Sequence, residues 1–420
     1  MSTSDMAAQV IVVGGGPAGM FSAVTAAQAG CKVRLIEKNE KLGKKLAITG
    51  KGRCNLTNDC SADEVLAQIP RNPKFLYSAM RAFPPEKTMA FFRSHGCPVK
   101  TERGRRVFPE SDRAQDVVDT LRAALRREGV RVDRGEVTEL LIRDGVCCGV
   151  LTGSRERRAD CVILATGGVS YPLTGSTGDG YRLAQSVGHT VVEPRPSLVP
   201  LEEEGHICEM AQGLSLRNVQ LRLLGPKSRQ VYSEFGELLF THFGLSGPIV
   251  LSASAHMKPD ERYRVFIDLK PALDEAALDA RILRDFEKYK NRSFENALGD
   301  LFPAKLIPVM VKRSGIDPLT KVHSVTRAQR KKLCELTKNF EIAIRGTRPV
   351  EEAIVTSGGV RTAEIDPATM ESKRVPGLFF AGELIDCDAY TGGFNLQIAW
   401  ATAHAAGLGA ARKLGKEIKP

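Results

Sequence analysis

Residues 14–19 (GGGPAG) could hold a phosphorylated ligand against the backbone of the chain. They directly follow residues 9–13 (QVIVV), an apolar, β-branched run that predicts a buried parallel strand, and they precede a helical pattern. In a G-x-G-x-x-G arrangement Gly14 would permit the tight turn, Gly16 would let the backbone approach a pyrophosphate, and Gly19 would let the helix pack on the strand. The helix N-terminus would present unpaired N–H groups and a partial positive charge to the phosphates.

A second strand pattern follows the helix and ends in an acid. Residues 32–37 (KVRLIE) close with Glu37, 18 positions after Gly19. A carboxylate at this point can accept hydrogen bonds from both ribose hydroxyls of an adenosine. The glycine motif alone would also fit a turn in an unrelated βαβ unit. With the strand, the helix, the second strand and the terminal acid around it, it predicts a dinucleotide site.

Three later segments favour one dinucleotide over another. Residues 162–168 (VILATGG) and 378–386 (LFFAGELID) are apolar strands that end in small residues, which let backbone lie against a flat or phosphorylated ligand. Residues 391–407 (TGGFNLQIAWATAHAAG) open a long helix with a glycine pair, and such a helix start can stabilise negative charge on a flavin. No second G-x-G-x-x-G opens a later βαβ unit. The sequence therefore predicts bound FAD, with NADH or NADPH as a transient electron donor.

Length and composition exclude several classes of protein. The 420 residues are 42% hydrophobic and 26% charged, which is ordinary for a globular protein of two to three domains and excludes disordered and fibrous chains. The ten cysteines form no CxxC pair or zinc-like spacing, so we expect no metal site and a reducing compartment. The first residues lack a signal-peptide pattern and no apolar run approaches a membrane span, so the sequence predicts a cytoplasmic protein with no membrane partner.

Five further segments resemble one known family over nearly the whole chain. They are residues 43–58 (GKKLAITGKGRCNLTN), 104–121 (GRRVFPESDRAQDVVDTL), 171–189 (YPLTGSTGDGYRLAQSVGH), 356–360 (TSGGV) and 382–407. These segments resemble the HI0933-like flavoproteins, whose members are BaiN/RdsA-type or aminoacetone-oxidase-type NAD(P)/FAD-dependent oxidoreductases.

The resemblance implies a cofactor site assembled from both ends of the chain. It places the glycine loop (residues 14–19) at the pyrophosphate, Glu37 at the ribose and Val137 at the adenine. It places the GRCN loop (residues 52–55) beside the cofactor. Gly382 and Glu383 would lie at the ribitol, and residues 393–395 under the flavin ring. Arg53 could instead form a surface salt bridge, and Cys54 could be a small buried hydrophobe. The expected cofactor-binding residues are Gly14, Gly15, Gly16, Ala18, Gly19, Glu37, Lys38, Gly52, Arg53, Cys54, Asn55, Val137, Ala165, Thr166, Gly167, Asp179, Gly382, Glu383, Gly393, Phe394 and Asn395.

The pattern of elements predicts an α/β protein with a discontinuous FAD-binding domain. Residues 1–193 and 350–420 alternate strands and helices in the doubly wound, Rossmann-like manner. Residues 194–267 and 339–349 read as short antiparallel strands, and residues 268–338 have helical spacing. We therefore expect an inserted β-barrel-like domain that carries a small helical domain, as the resemblance also implies.

The surplus of positive charge lies in the inserted part. Residues 305–332 carry eight basic side chains and one acid, and residues 210–233 carry four basic side chains and no acid, which together account for the net charge of +11. Such a surface fits RNA, which the resemblance would make ribosomal RNA, or an anionic small-molecule substrate, although a solvated helix face is the ordinary alternative. The candidate anion-binding residues are Lys312, Arg313, Arg327, Arg330, Lys331 and Lys332.

A flavin can deliver hydride to an electron-poor carbon, and the protein must then supply a proton to the neighbouring carbon. Cys387 and Tyr390 are close in sequence to Gly392 and Gly393, which are expected at the flavin ring. Tyr171 directly follows residues 165–170 (ATGGVS). These three are the candidate catalytic residues, while Asp388 and His242 are further ionisable neighbours. The alternative for Cys387 is a small buried hydrophobe, and for His242 a structural histidine.

The resemblance implies three activities. They are reduction of uridine in ribosomal RNA to dihydrouridine, reduction of unsaturated steroid or bile-acid molecules, and oxidation of a small amine. The first two saturate an activated C=C bond, and this shared chemistry is the central prediction, with uridine favoured by the local positive charge. The form of residues 391–395 (TGGFN) instead resembles the branch with the oxidase and bile-acid members. A flavin-binding redox sensor without turnover remains a different class of function, and the oligomeric state stays open.

Overall fold

A computed structural model describes residues 9–416, and the chain divides into two compact units. Unit 1 comprises Met1–Ser197 and Ala353–Pro420, and unit 2 comprises Leu198–Glu352. Each unit has its own hydrophobic core. The predicted α/β class, with a parallel Rossmann-type sheet and an inserted barrel, is confirmed. The separation of residues 268–338 as a third domain stays a prediction.

Unit 1 is built on a five-stranded sheet in the order β19-β10-β1-β2-β6, all of whose neighbours are parallel. The strands β1, β10 and β19 are apolar and fully buried, as expected of a parallel sheet covered by helices, and β2 is buried along its length. The edge strand β6 is largely exposed. Three smaller antiparallel groups, β11-β18, β3-β5-β4 and β7-β8-β9, complete the unit. The strands are β1 Val10–Val13, β2 Val33–Glu37, β3 Thr57–Asn58, β4 Val99–Glu102, β5 Arg106–Pro109, β6 Arg131–Arg134, β7 Val137–Arg143, β8 Val146–Thr152, β9 Arg155–Arg158, β10 Cys161–Leu164, β11 Val191–Ser197, β18 Val355–Val360 and β19 Leu378–Phe380.

The first and last helices of unit 1 pack together against the sheet. Gly407 in the last helix allows this approach, because a Cβ there would lie 2.8 Å from the Ser22 carbonyl oxygen of the first helix. The Phe21 and Trp400 rings meet edge to face at 5.6 Å, and Trp400 Nε1 donates to the Leu56 carbonyl at 2.9 Å. The helices are α1 Pro17–Gln28, α2 Lys44–Ile48, α3 Ala62–Ala67, α4 Tyr77–Ala82, α5 Pro85–Ser94, α6 Ala114–Arg127, α7 Asp179–Ser186 and α14 Phe394–Lys413.

Unit 2 contains a closed six-stranded barrel in the order β12-β15-β14-β13-β16-β17. Alternation along the strands separates its two faces: Leu221 and Leu223 point inward and pair with Ile267 and Val265, while Arg222 pairs with Phe266 on the outside. The strands are β12 Leu201–Glu203, β13 Ser215–Leu224, β14 Gln230–Phe240, β15 Gly244–Ser246, β16 Tyr263–Asp268 and β17 Phe340–Thr347.

The helices of unit 2 share one hydrophobic core with the barrel. Two of them begin at side-chain caps, Asp274 and Thr326, as the predicted helical segments require. The helical spacing of residues 268–338 does not give one helix over residues 296–315, because the chain turns at Pro303 and a longer helix forms only over residues 307–314. The helices are α8 Ile207–Met210, α9 Pro248–Ser254, α10 Glu275–Lys288, α11 Phe294–Ala297, α12 Ile307–Ser314 and α13 Arg327–Lys338.

Candidate functional site

The glycine loop after β1 forms a turn with open space on one side. Gly14 adopts φ +104°, and a Cβ there would lie 2.5 Å from the Ala165 carbonyl oxygen, so β1 and the end of β10 approach closely. A Cβ at Gly16 would instead have no protein atom within 4 Å. Gly16 is also the N-cap of α1, and no side chain caps that helix. This arrangement is a cradle that suits a pyrophosphate at a helix N-terminus.

Glu37 fixes the loop at the end of β2. Its carboxylate accepts hydrogen bonds from the Gly15 N–H at 2.5 Å and from the backbone N–H and side-chain amide of Asn39, both at 2.7 Å. The carbonyl of Glu37 accepts from the Gly135 N–H at 2.9 Å, which places the start of β7 and its first residue, Val137, near the same strand end. Glu37 is thus buried next to the glycine loop, where the sequence predicted it.

Lys38 and Asp179 form an ion pair with each other, although 141 positions separate them in sequence. Lys38 also donates to the Thr177 hydroxyl at 2.6 Å, and Asn39 donates to the Thr174 carbonyl at 3.1 Å. These bonds hold the loop before α7 against the segment that follows β2. The cofactor roles of Lys38 and Asp179 stay predictions.

Two parts of the carboxyl-terminal segment contact the amino-terminal half of unit 1. A Cβ at Gly382 would lie 2.7 Å from the Cβ of Ala18, and the Gly382 N–H donates to the Thr402 hydroxyl at 3.0 Å. Asn55, with its amide oxygen facing Gly393, accepts from the Gly393 N–H at 3.0 Å. The structure therefore brings the GRCN loop, the glycine loop and the predicted ribitol and ring residues together within unit 1.

The amino terminus of α14, like that of α1, has no side-chain cap, but Thr57 and Asn55 pack closely against its first glycine. Gly393, its N-cap, adopts φ +97°, and no side chain caps the helix. Asn395 exchanges two hydrogen bonds with Ala389, at 2.9 and 2.7 Å, and so fixes the turn before the helix. Phe394 is buried beside Gly392. The partial positive charge of this helix end can stabilise negative charge placed before it.

Glu383 is the centre of a polar network that the sequence analysis did not identify. Its carboxylate accepts from Lys45 Nζ at 2.6 Å, from the Ser170 hydroxyl at 3.1 Å and from the Thr356 N–H at 2.7 Å. The Thr356 hydroxyl in turn accepts from the Val169 N–H at 2.9 Å. Lys45 and Thr356 both lie in segments that resemble the family. The network forms only because the fold brings Lys45, Ser170, Thr356 and Glu383, which are distant in sequence, into contact.

The loop residues Arg53 and Cys54 have partners within the protein. Arg53 donates to Glu102 and Asp112, each at 2.5 Å, and these hydrogen bonds raise the pKa of its guanidinium. Arg53 thus forms the salt bridge that was the alternative to cofactor binding in the sequence analysis. A cofactor role for Arg53 stays a prediction. Cys54 is fully buried, and burial raises the pKa of its thiol to about 12. Gly52 is exposed at the tip of this loop.

The three candidate catalytic residues differ in burial. Cys387 is 3% exposed; burial, and then the neighbouring Asp386 and Asp388, hold the pKa of its thiol well above the ordinary value. Tyr390 is half-buried, and its N–H donates to the Gln68 carbonyl at 3.0 Å. Tyr171 is also half-buried and adopts a left-handed backbone conformation with φ +53°. His242 lies in unit 2, in the turn after β14.

A buried acidic cluster surrounds Cys387. Asp388 accepts from the Ser197 hydroxyl at 2.7 Å and lies 3.6 Å from Arg71 Nε. Asp386 accepts from the Asn72 amide at 3.1 Å. Burial raises the pKa of both carboxyl groups, against the opposing charge of Arg71. Asp388 had been predicted only as an ionisable neighbour, and nothing in the local sequence indicates that Arg71 would approach it.

Three observations test whether these residues fit FAD. The Gly16 cradle has the space that a pyrophosphate needs. Thr166 is one of the predicted cofactor-binding residues in the segment ATGG (165–168), which follows β10. Its hydroxyl is buried without a hydrogen-bond partner. The helix starts at Gly16 and Gly393 both lack a side-chain cap. The residues of unit 1 therefore fit the cofactor that the sequence predicted.

The six predicted anion-binding residues separate into two groups. Arg313 lies 4.7 Å over the Phe340 ring and donates to the Glu341 carbonyl at 2.7 Å, and Arg330 pairs with Asp279 at 2.5 Å. These two arginines are held in the packing of unit 2. The exposed members of the set are Lys312, Arg327, Lys331 and Lys332.

Comparison with known proteins identifies the class. The model of the HI0933-like protein Rossmann domain matches residues 8–409, so the chain belongs to this family of FAD-dependent oxidoreductases. It is 34% identical to a 3-dehydro-bile acid delta(4,6)-reductase of Clostridium scindens over 96% of this chain and 98% of that protein. It is 33% identical to a ribosomal RNA dihydrouridine synthase of Escherichia coli over 94% of this chain and 96% of that protein.

A solved structure supports the fold. The 3-ketosteroid delta1-dehydrogenase of Sterolibacterium denitrificans superposes with a TM-score of 0.53 at 13% identity, covering 97% of this chain and all of that one. Within residues 9–416, no helix is long and apolar enough to cross a membrane. The same residues contain no group of three or more His, Cys, Asp or Glu side chains placed to hold a metal ion.

Proposed function

We propose that this protein uses FAD and NAD(P)H to reduce an activated C=C bond, and that its substrate is uridine in ribosomal RNA. The observation that carries the proposal is the pair of near full-length relatives, one named for reduction of a bile acid and one for synthesis of dihydrouridine in ribosomal RNA. Both names describe saturation of a C=C bond next to a carbonyl. The common reaction is therefore better supported than either substrate.

Charge on unit 2 favours the RNA substrate over a bile acid. Lys312, Arg327, Lys331 and Lys332 are exposed on α12 and α13, which together carry seven basic side chains and one acid. Only Lys331 of these four has a carboxylate near its ammonium group, Glu335 at 4.0 Å, among the ion pairs between described residues. A small steroid has no need of several separated cations, whereas each phosphate contact to RNA uses one.

Bound FAD supplies hydride transfer to the electron-poor carbon. The Gly16 and Gly393 helix ends would hold the pyrophosphate and the ring, and Glu37 would bind the ribose. Asn395 and Asn55 fix the backbone around Gly393, and the Glu383 network fixes the turn after β19. These contacts orient the groups that the chain presents to a substrate, which is the main contribution of the protein to such a reaction.

Among the candidate proton donors we propose Tyr390. A general acid must be able to release its proton, and burial between two carboxyl groups opposes formation of the Cys387 thiolate. Tyr390 is only half-buried, and its backbone is fixed between Gln68 and the Asn395 turn.

The test compares ribosomal RNA from cells with and without the gene. The RNA is digested to nucleosides, and dihydrouridine is measured by mass spectrometry. We expect loss of dihydrouridine from one site of the RNA when the gene is deleted and its return when the gene is restored. An unchanged level, together with reduction of a bile-acid dienone by the purified protein, would move the assignment to the steroid substrate.

A further inference from the structure

The outward face of the barrel in unit 2 combines aromatic and cationic side chains. Gln220, Arg222, Ser233, Phe235, Arg264 and Phe266 form what we call the outer face. Cross-strand pairing places them there, because Gln220 pairs with Phe235, Arg222 pairs with Ser233 and Phe266, and Leu224 pairs with Arg264. The intervening residues Leu221 and Leu223 are fully buried inside the barrel. The outer face is therefore a continuous side of β14, β13 and β16.

Two rings on this face are accessible in different ways. Phe235 is 54% exposed, a high value for a phenylalanine in the middle of a strand. On the neighbouring strands the Phe266 ring lies between two guanidinium groups, with Arg222 at 5.8 Å and Arg264 at 5.6 Å from the ring centre. Hydrogen bonds hold those arginines in place, since Arg222 donates to Asn339 at 2.5 Å and Arg264 to the Ser228 hydroxyl at 3.0 Å.

Within residues 9–416, cations without carboxylate partners lie at the turn end of the outer face. Lys227 and Arg229 are exposed at the β13-β14 turn, next to the arginines of the outer face. Acids are also present: Glu341 lies 3.3 Å from Arg264, Asp268 lies 2.6 Å from Lys338, and the exposed Glu237 follows Phe235 by two residues on β14. The cations that have no carboxylate partner among the ion pairs of the described residues are Arg222, Lys227 and Arg229, and they lie toward the turn. An exposed ring on the outside of a barrel, with Arg222 diagonally across from it on the neighbouring strand and further cations toward the turn, is an arrangement on which an unpaired base can stack while cations follow the phosphates.

We infer that the outer face is a binding surface for single-stranded RNA, on which a base stacks against Phe235. The inference rests on the proposed function, because uridine must leave its base stack before its C=C bond can be reduced, and the flanking strand then needs a place to bind. It extends that function by adding a contact to a base. The cations of α12 and α13, which the sequence predicted, would contact only the phosphates of the RNA. A protein partner would use the exposed ring without needing the neighbouring cations.

The experiment measures binding of full-length, FAD-loaded protein to a fluorescein-labelled oligouridylate of about 12 nucleotides, a length suited to a single-strand site. We expect Phe235→Ala to weaken binding about ten-fold, and Phe235→Leu to weaken it similarly because a leucine has no aromatic face. Phe235→Trp should retain the affinity. The slope of log Kd against log salt should be unchanged in all three variants, because none removes a charge.

Two controls separate stacking from other effects. Leu319→Ala removes another highly exposed apolar side chain of unit 2 and should leave binding unchanged. The double variant Lys227→Ala and Arg229→Ala should weaken binding and also reduce the salt slope by roughly one. Thermal midpoints equal to that of the parent protein establish that each variant is folded, which the exposure of Phe235 leads us to expect.

The inference is overturned if Phe235→Ala binds like the parent, if Phe235→Leu keeps full affinity, or if the parent fails to bind the oligonucleotide. It is supported if the two variants lose affinity and the tryptophan variant does not. The proposed function is tested separately by dihydrouridine in ribosomal RNA. Stacking-dependent binding without any dihydrouridine would leave the RNA surface standing and remove uridine in ribosomal RNA as the substrate.

Discussion

At the scale of single residues, the site depends on a few positions where a side chain is excluded or a proton is held. Gly14 and Gly16 are two positions apart and have opposite requirements. The first is closed by the Ala165 carbonyl, and the second faces open space. A glycine needed for the fold can thus be distinguished from a glycine needed for a ligand.

The substitution Gly16→Val should leave the apoprotein folded and prevent FAD from binding. No protein atom lies within 4 Å of the added Cβ, so the fold is not strained, but the side chain occupies the cradle before α1. We expect nearly complete loss of flavin absorbance after purification, with a circular dichroism spectrum like that of parent apoprotein. Gly346→Val, at another open glycine, is the control and should retain FAD. A yellow Gly16→Val protein would contradict the assignment of the cradle.

The substitution Tyr390→Phe should reduce the rate of substrate reduction about 100-fold, within the range for loss of a general acid. Flavin reduction by NAD(P)H should be unaffected, because that step needs no proton from Tyr390. Cys387→Ala and Tyr171→Phe should each change the rate less than three-fold or so on the same scale. Stopped-flow measurement of the two half-reactions distinguishes these cases. A large loss in Cys387→Ala with a normal Tyr390→Phe enzyme would reverse the assignment.

At the scale of elements, ionic contacts join segments that are distant in sequence. Glu364 accepts from the Thr190 N–H at 2.9 Å and from Arg374 at 2.9 Å, and it lies 3.1 Å from His189. It therefore links the start of β11 to the turn before β19. Burial raises the pKa of Glu364, but the hydrogen bonds from Arg374 and Thr190 outweigh burial and bring the pKa to about 2.

The substitution Glu364→Gln should lower the thermal midpoint by a few degrees at pH 7. The amide forms weaker hydrogen bonds than the carboxylate, and we expect the free energy of unfolding to fall by about 1–2 kcal/mol. Because the pKa in the folded state is below the usual 4.5, the carboxylate stabilises the fold above pH 4.5 and loses this effect as the pH falls toward 2. The difference between the two proteins should therefore shrink between pH 4.5 and 2. Glu335→Gln, at an exposed carboxylate, should show no difference at any pH. A constant difference for Glu364→Gln would exclude ionisation as its cause.

The helices α12 and α13 have two kinds of basic residue. The triple variant Lys312→Ala, Lys331→Ala and Lys332→Ala should reduce the salt slope of RNA binding by about two, at roughly 0.7 per charge for single strands, and leave the thermal midpoint unchanged. Arg330→Ala should do the reverse, since Arg330 is paired with Asp279 in the packing. Fluorescence anisotropy at several salt concentrations and thermal denaturation measure both effects. Equal loss of binding in the two proteins would mean that exposure does not distinguish these residues.

At the scale of the whole molecule, local patterns predicted more of the structure than distant contacts. The strand at β1, the glycine loop and the acid ending β2 depend on neighbours in sequence, and each is where the sequence placed it. The helix expected over residues 391–407 is also present, but it begins at Phe394, after the glycine pair, and continues to Lys413. The outward and inward alternation of β13 and β14 likewise follows from their patterns. A barrel could therefore be expected, but not which strands close it.

Contacts between distant segments could not be predicted from spacing. Lys38 and Asp179 were both expected at the cofactor, yet they pair with each other across 141 positions. Arg53 has two carboxylate partners, 49 and 59 positions away, and the Arg71 and Asp388 contact joins opposite ends of unit 1. A charged residue near a motif does not reveal whether its partner is a ligand or another side chain.

The central claim is tested most directly by a single anaerobic turnover with purified, FAD-loaded protein. The flavin is first reduced with NADH or NADPH, and the reduced protein is then mixed with ribosomal RNA from cells that lack the gene. We expect the oxidised flavin spectrum to return and dihydrouridine to appear in equal amount. A flavin that stays reduced in the presence of this RNA, with no dihydrouridine formed, would contradict it.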